Sequence, residues 1–99
     1  MQIQLLYFNG CPNWHDMHDR LREAMALAGD DGAVELVEVR NPAQAAHWGF
    51  HGSPSILVDG QDPFAEPGAA VGLACRLYRT PEGLRGAPSL DQLAAVLAR

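Results

Sequence analysis

The chain has 99 residues, 47% of them hydrophobic and 19% charged, which fits one soluble globular domain over residues 1–99. Twelve acids against seven bases leave a net charge of −5, and phosphate binding needs a basic face, so nucleic acid is excluded as the main partner. Every base is arginine, which removes lysine nucleophiles and Schiff bases.

The arginine bias, with abundant alanine and glycine, points to a GC-rich bacterial source. Met1 leads directly into an apolar run with no basic or hydrophobic leader before it. No apolar stretch approaches the roughly 20 residues that span a bilayer. The expected setting is therefore cytoplasmic and free of membrane, where cysteines stay reduced unless redox chemistry is their task.

The organising stretch comes first. Gln2 to Tyr7 or Phe8 reads as a strand, and Asn9-Gly10 breaks it. Cys11 and Pro12 follow, with the proline suited to a first helical turn. Trp14, Met17, Leu21, Met25 and Ala28 then form one helical stripe, which Gly29 stops. A cysteine delivered to a helix start meets free N–H groups and a partial positive charge. Both favour the thiolate, which is the nucleophile. The other role for such a cysteine is that of a small buried hydrophobe.

Ala33 to Val39 reads as a second strand. Asn41-Pro42 caps and opens a short helix to Trp48, and Gly49 ends it. Ser55 to Val58 is a third strand. Residues 60–72 carry turn chemistry throughout, a long loop for so small a chain. Leu73 to Arg79 alternates as a fourth strand, with Leu73, Cys75 and Leu77 on one face and Ala74, Arg76 and Tyr78 on the other. Thr80 to Pro88 is a loop. Ser89-Leu90-Asp91-Gln92 matches a capping box before a last helix carrying Leu90, Leu93, Val96 and Leu97.

The resulting order is β-α-β-α-β-β-α, with a cysteine at the first strand–helix junction. Two segments make it resemble the thioredoxin superfamily. Tyr7-Phe8-Asn9-Gly10-Cys11-Pro12-Asn13-Trp14 is similar to the family's Cys-x-x-Cys active site. Gly49-Phe50-His51-Gly52-Ser53-Pro54-Ser55-Ile56-Leu57-Val58 is similar to its cis-proline segment. The resemblance implies a four-stranded mixed sheet in the order 2-1-3-4 with helices on both faces. It implies that Cys11 is the nucleophile, that Pro54 is the cis-proline facing it, and that the Ser53 backbone is a substrate-docking edge. Pro12, Trp14 and His51 join them as substrate-contacting candidates.

The sequence departs from the family at one point. Trp14 stands where the second cysteine belongs, so Cys11 has no partner within the motif. The implied activity is that of a thiol–disulfide oxidoreductase with one active-site cysteine, as in monothiol glutaredoxins. Its partner is a protein disulfide or a low-molecular-weight thiol, and no cofactor or metal is called for. The mixed disulfide is resolved by an external thiol or by Cys75.

Two other functions remain open. One is a redox-silent binding module that docks a peptide on the Ser53-Pro54 edge. The other is a soft-metal thiolate site, on a more distant similarity to alkylmercury lyases. His15 and His51 are either neighbours of the thiolate or solvated. Trp14 is either an apolar wall of the site or the first core residue of its helix. Arg76 and Arg79 either receive an anionic thiol or lie on a solvated strand edge. In the implied order Cys75 lies two strands from Cys11, a lateral offset of about 10 Å. A disulfide needs Cα atoms within about 7 Å, so no bond between the two is expected at rest. Cys75 is instead expected on the packed face with Leu73 and Leu77.

Overall fold

The computed structural model describes residues 2–30 and 32–98. The elements run β1 (Ile3–Tyr7), α1 (Trp14–Leu27), β2 (Val34–Glu38), α2 (Pro42–Trp48), β3 (Ser55–Val58), β4 (Tyr78–Thr80), β5 (Gly83–Arg85) and α3 (Leu90–Leu97). β1 is the central strand of a three-stranded sheet ordered β2-β1-β3. It pairs in parallel with β2 (Ile3 opposite Val34) and antiparallel with β3 (Ile3 opposite Val58).

Alternation along β1 divides the core. Ile3 and Leu5 join Ile56 from β3, Met17, Leu21, Ala24 and Met25 from α1, and Leu93 and Leu97 from α3. Leu6 and Leu57 face the other way and pack with Val39, Phe50 and Ala45 of α2. The first and last helices therefore share one face of the sheet and the short helix covers the other. Gln4 is the polar residue inside β1, and its Nε2 donates to Glu35 Oε1 at 3.1 Å across the parallel pair.

The local signals act where the residues place them. Gly29, at φ +73, ends α1 while its N–H and that of Asp30 bond back to Ala26 and Met25. Asn41 Oδ1 accepts from Gln44 N at 2.8 Å ahead of Pro42. Ser89 and Gln92 form the reciprocal capping box. α1 starts later than Pro12 suggests. Asn13 is its N-cap, and Pro12 lies in the preceding turn.

The four-stranded sheet is overturned. Among the described residues no fourth strand extends β2-β1-β3, and β4 pairs instead with β5 in a separate hairpin, Tyr78 opposite Arg85. Thr80 turns that hairpin, its Oγ1 donating to Gly83 O at 2.7 Å. Of the expected strand 73–79, Tyr78 and Arg79 belong to β4, and Cys75 forms an isolated parallel bridge to Ser53.

Leu73 packs on the core as expected, but from residue 75 the alternation is inverted. Tyr78 is buried and Arg76 half-buried, whereas Leu77 is 63% exposed and Cys75 is exposed. The cause is a set of polar partners that a hydrophobic pattern cannot register. Arg76 Nη1 donates to Asp62 Oδ2 at 2.7 Å and to Ser55 Oγ at 3.1 Å, and Nη2 donates to Phe64 O at 2.7 Å. The guanidinium also lies 4.5 Å from the Tyr78 ring centre, and the Tyr78 hydroxyl donates to Pro54 O. Polar groups are tolerated inside when paired in this way.

The same contacts pin the start of the 60–72 segment. Asp59 (φ +51) and Gly60 (φ +82) make a tight turn, with Val58 and Gln61 exchanging backbone hydrogen bonds. Phe64 then packs edge-on against Tyr78, with ring centres 5.5 Å apart.

Candidate functional site: two thiols on Ser53

β1 ends at Tyr7, and a tight turn in which Cys11 N donates to Phe8 O at 3.0 Å brings Cys11 back over the sheet's end. There Cys11 is fully buried. Its Sγ donates to Ser53 O at 3.6 Å. Ser53 is buried too, and its Oγ accepts from Phe8 N at 3.0 Å, which fixes the turn to the loop before β3. The Ser53–Pro54 peptide is cis, as expected.

The chain from 74 to 76 closes the site. Ser53 N donates to Ala74 O at 2.7 Å, and Arg76 N donates to Ser53 O at 2.8 Å. Cys75 is thereby held opposite Ser53 and beside Cys11. The neighbouring Cys11 thiol is the main reason why the Cys75 thiol holds its proton above its ordinary value of 9.0. Desolvation, and then the charge of Cys11, push in the same direction. Both cysteines are free thiols.

The expected separation of the two cysteines is thus overturned. It assumed a regular fourth strand, and the chain instead meets Ser53 itself, the residue on which Cys11 rests. Gly52 makes the approach possible. It has φ +115, and a Cβ there would lie 3.0 Å from Arg76 Cβ and 3.1 Å from Ala74 O.

The remaining candidates are distributed unevenly. Pro54 is buried at the site, its carbonyl taken by Tyr78. His51 is half-buried with Nδ1 3.2 Å from Ala70 O, and it lines a cavity of about 390 Å³ together with Cys75, Phe64, Val71, Arg76 and Arg79. Pro12 is exposed and does not line that cavity. Trp14 stacks between Tyr7, at 4.2 Å, and His15, at 3.7 Å, and packs against the core, so it is partly the core residue its register suggests.

Neither arginine is free for an anion. Arg76 is spent on Asp62, with both side chains 9% exposed, and Arg79 is paired with Glu66 at 3.1 Å on the surface. Among the described residues no group of three or more His, Cys, Asp or Glu side chains is arranged to hold a metal. Among them also, no helix is long and apolar enough to cross a membrane.

Asp62, Tyr78 and Gly52 went unrecognised in the sequence. Asp62-Pro63 has turn chemistry, and nothing in the spacing of an acid and an arginine 14 residues apart reveals a buried pair. Gly52 offered the one usable signal, a glycine directly before the Ser-Pro pair.

No protein-family model matches this chain, no curated protein matches it, and no solved structure matches it.

Proposed function

We propose that the protein is a thiol–disulfide oxidoreductase of thioredoxin-like descent whose redox couple is Cys11 and Cys75. One observation carries this reading. Two backbone hydrogen bonds to Ser53 hold Cys75 beside the thiol of Cys11, which itself rests on Ser53 O. Cys11 lacks a partner within its own motif, and the 74–76 segment supplies one from the far end of the chain.

The couple cycles between dithiol and disulfide. Two electrons pass to a substrate disulfide, which leaves as two thiols, while a Cys11–Cys75 bond forms.

Docking of an extended peptide on the Ser53 edge is disfavoured by the same geometry. Ser53 N and O are both taken by the protein's own chain, and Pro54 O is taken by Tyr78.

The test is mild oxidation of dilute pure protein with diamide, followed by thiol counting and peptide mapping. Loss of both free thiols into one intramolecular bond, in redox equilibrium with a dithiol/disulfide buffer, is the expected result. Two persistent free thiols, or disulfides only between molecules, would overturn the proposal.

A further inference from the structure

Burial divides the two sulfurs of the couple. Cys11 has no exposed surface, and Ser53, Pro54 and Phe50 around the loop are buried with it. Cys75 is exposed and opens onto the 390 Å³ cavity, a volume in the range of small-molecule sites. A second sulfur approaching from solvent therefore reaches Cys75 and not Cys11.

The geometry points to Cys75 as the sulfur attacked by the external partner, with Cys11 as the internal leaving and resolving thiol, and to a low-molecular-weight thiol seated in the cavity as that partner. This assignment rests on the Cys11–Cys75 couple proposed above, and it reverses the roles that the motif around Cys11 implies.

The cavity accommodates such a thiol. Its walls are Phe64, Val71 and the small side chains of the 69–74 segment. The charges at its rim, Glu66 and Arg79, already neutralise each other, and Arg76 is turned inward to Asp62. No unpaired cation among these residues demands an anion, so a neutral or zwitterionic thiol is accommodated. Ala69, Ala70 and Ala74 in the lining are exposed and carry only methyl side chains.

The steps balance. A small thiolate attacks Cys75 Sγ of the protein disulfide. The bond to Cys11 breaks, and its electron pair leaves on Cys11 Sγ. A second small thiolate attacks the small-molecule sulfur of the mixed disulfide. The Cys75 thiolate departs and takes a proton from solvent. Two small thiols have become one small disulfide, and the protein disulfide has become a dithiol. Reduction of a small disulfide by the protein is the same sequence reversed.

The experiment has two arms. In the first, the oxidised protein receives cysteamine and is quenched in acid, and the mixed disulfide is located by peptide mapping. Cysteamine on Cys75 is the expected result, and cysteamine on Cys11 overturns the assignment. The second arm does not depend on an intramolecular disulfide. Cys11→Ser and Cys75→Ser variants react separately with 4,4′-dithiodipyridine at neutral pH. The thiol remaining in Cys11→Ser should react at least about tenfold faster than the thiol remaining in Cys75→Ser, as exposure dictates. Equal or reversed rates overturn the assignment. If the wild type forms no intramolecular disulfide, the redox couple itself fails, and the rates of the single-cysteine variants still decide which sulfur meets solvent.

Discussion

Cys75 lies directly opposite Ser53, the residue whose carbonyl also accepts the hydrogen bond of the Cys11 thiol. One buried serine thus holds two cysteines that are 64 positions apart in the chain, with no disulfide between them. The bridge at Ser53 is isolated, so the proximity of the thiols depends on a few contacts that single substitutions can remove.

Gly52 is the most direct of these. A methyl group there meets Arg76 Cβ at 3.0 Å and Ala74 O at 3.1 Å, and φ +115 is unfavourable for any side chain. Gly52→Ala should cost about 1–3 kcal/mol and push the 74–76 segment off Ser53. Gly52 belongs to neither the sheet nor a core cluster, so the circular-dichroism spectrum should persist while diamide-driven formation of the Cys11–Cys75 bond slows at least about tenfold. An unchanged rate would show that the segment does not need this close approach.

Arg76 anchors the same segment from the other side. Truncation to alanine leaves the Asp62 carboxylate nearly buried without its partner and strips a hydrogen bond from both Ser55 Oγ and Phe64 O. Loss of one member of a buried pair costs about 3–5 kcal/mol, so Arg76→Ala should lower the urea midpoint sharply. The Arg76→Ala/Asp62→Ala double variant should be less destabilised than the sum of the two single variants, because the second truncation removes the orphaned charge. Strict additivity would mean that the pair contributes nothing as a pair.

The parts legible in the sequence are those written in local chemistry. The stripe Met17, Leu21, Met25 gave α1, Asn41-Pro42 gave α2, and Ser89 with Gln92 gave the cap of α3. Helices on both faces were implied by the resemblance alone, and the structure ties that division to the alternation of Ile3 and Leu5 against Leu6. The segment 73–79 failed because its fate is decided by partners far along the chain. Leu73, Cys75 and Leu77 make a plausible buried face, but Asp62, Phe64 O and Pro54 O attract Arg76 and Tyr78 inward instead. Cys11, Ser53 and Pro54 were correctly brought together. The place of Cys75 depended on the failed strand, and it moved from two strands away to the neighbouring position.

Tyr78 makes a second prediction about stability. Burial, the largest cause, raises its phenol far above the ordinary value of 10.0, and Asp62 adds to the rise while Arg76 and Ser55 oppose it. The unfolded chain releases this proton near pH 10, whereas the folded protein retains it. The contribution is therefore fully present below that pH and is lost as pH rises towards the folded value. Tyr78→Phe should cost about 1–2 kcal/mol at neutral pH by leaving Pro54 O without its donor. It should also flatten the decline of stability above pH 10, measured by urea titration at several alkaline pH values. An equally steep decline in the variant would assign it to other groups.

The last prediction concerns the thiol of Cys75 itself. Its exposure suggests ready alkylation, but its proton is held above the ordinary value of 9.0. The first cause is the hydrogen bond with Cys11, which the neutral thiol makes and the thiolate loses. Desolvation and the charge of Cys11 follow in the same direction. Since the thiolate is the species that reacts, iodoacetamide should modify Cys75 slowly at neutral pH, with a rate that is still climbing past pH 9. Cys11→Ala removes both the hydrogen bond and the charge and leaves only desolvation. The midpoint of the Cys75 profile should therefore move down towards its ordinary value in that variant, and the rate at pH 8 should rise. Cys11→Ser, which keeps a hydrogen-bonding group in place, should fall between the two. The profiles are read by mass spectrometry of the Cys75 peptide across the pH range. A Cys75 midpoint that is identical in the wild type and in Cys11→Ala would separate the two thiols in solution and remove the contact on which the redox couple depends.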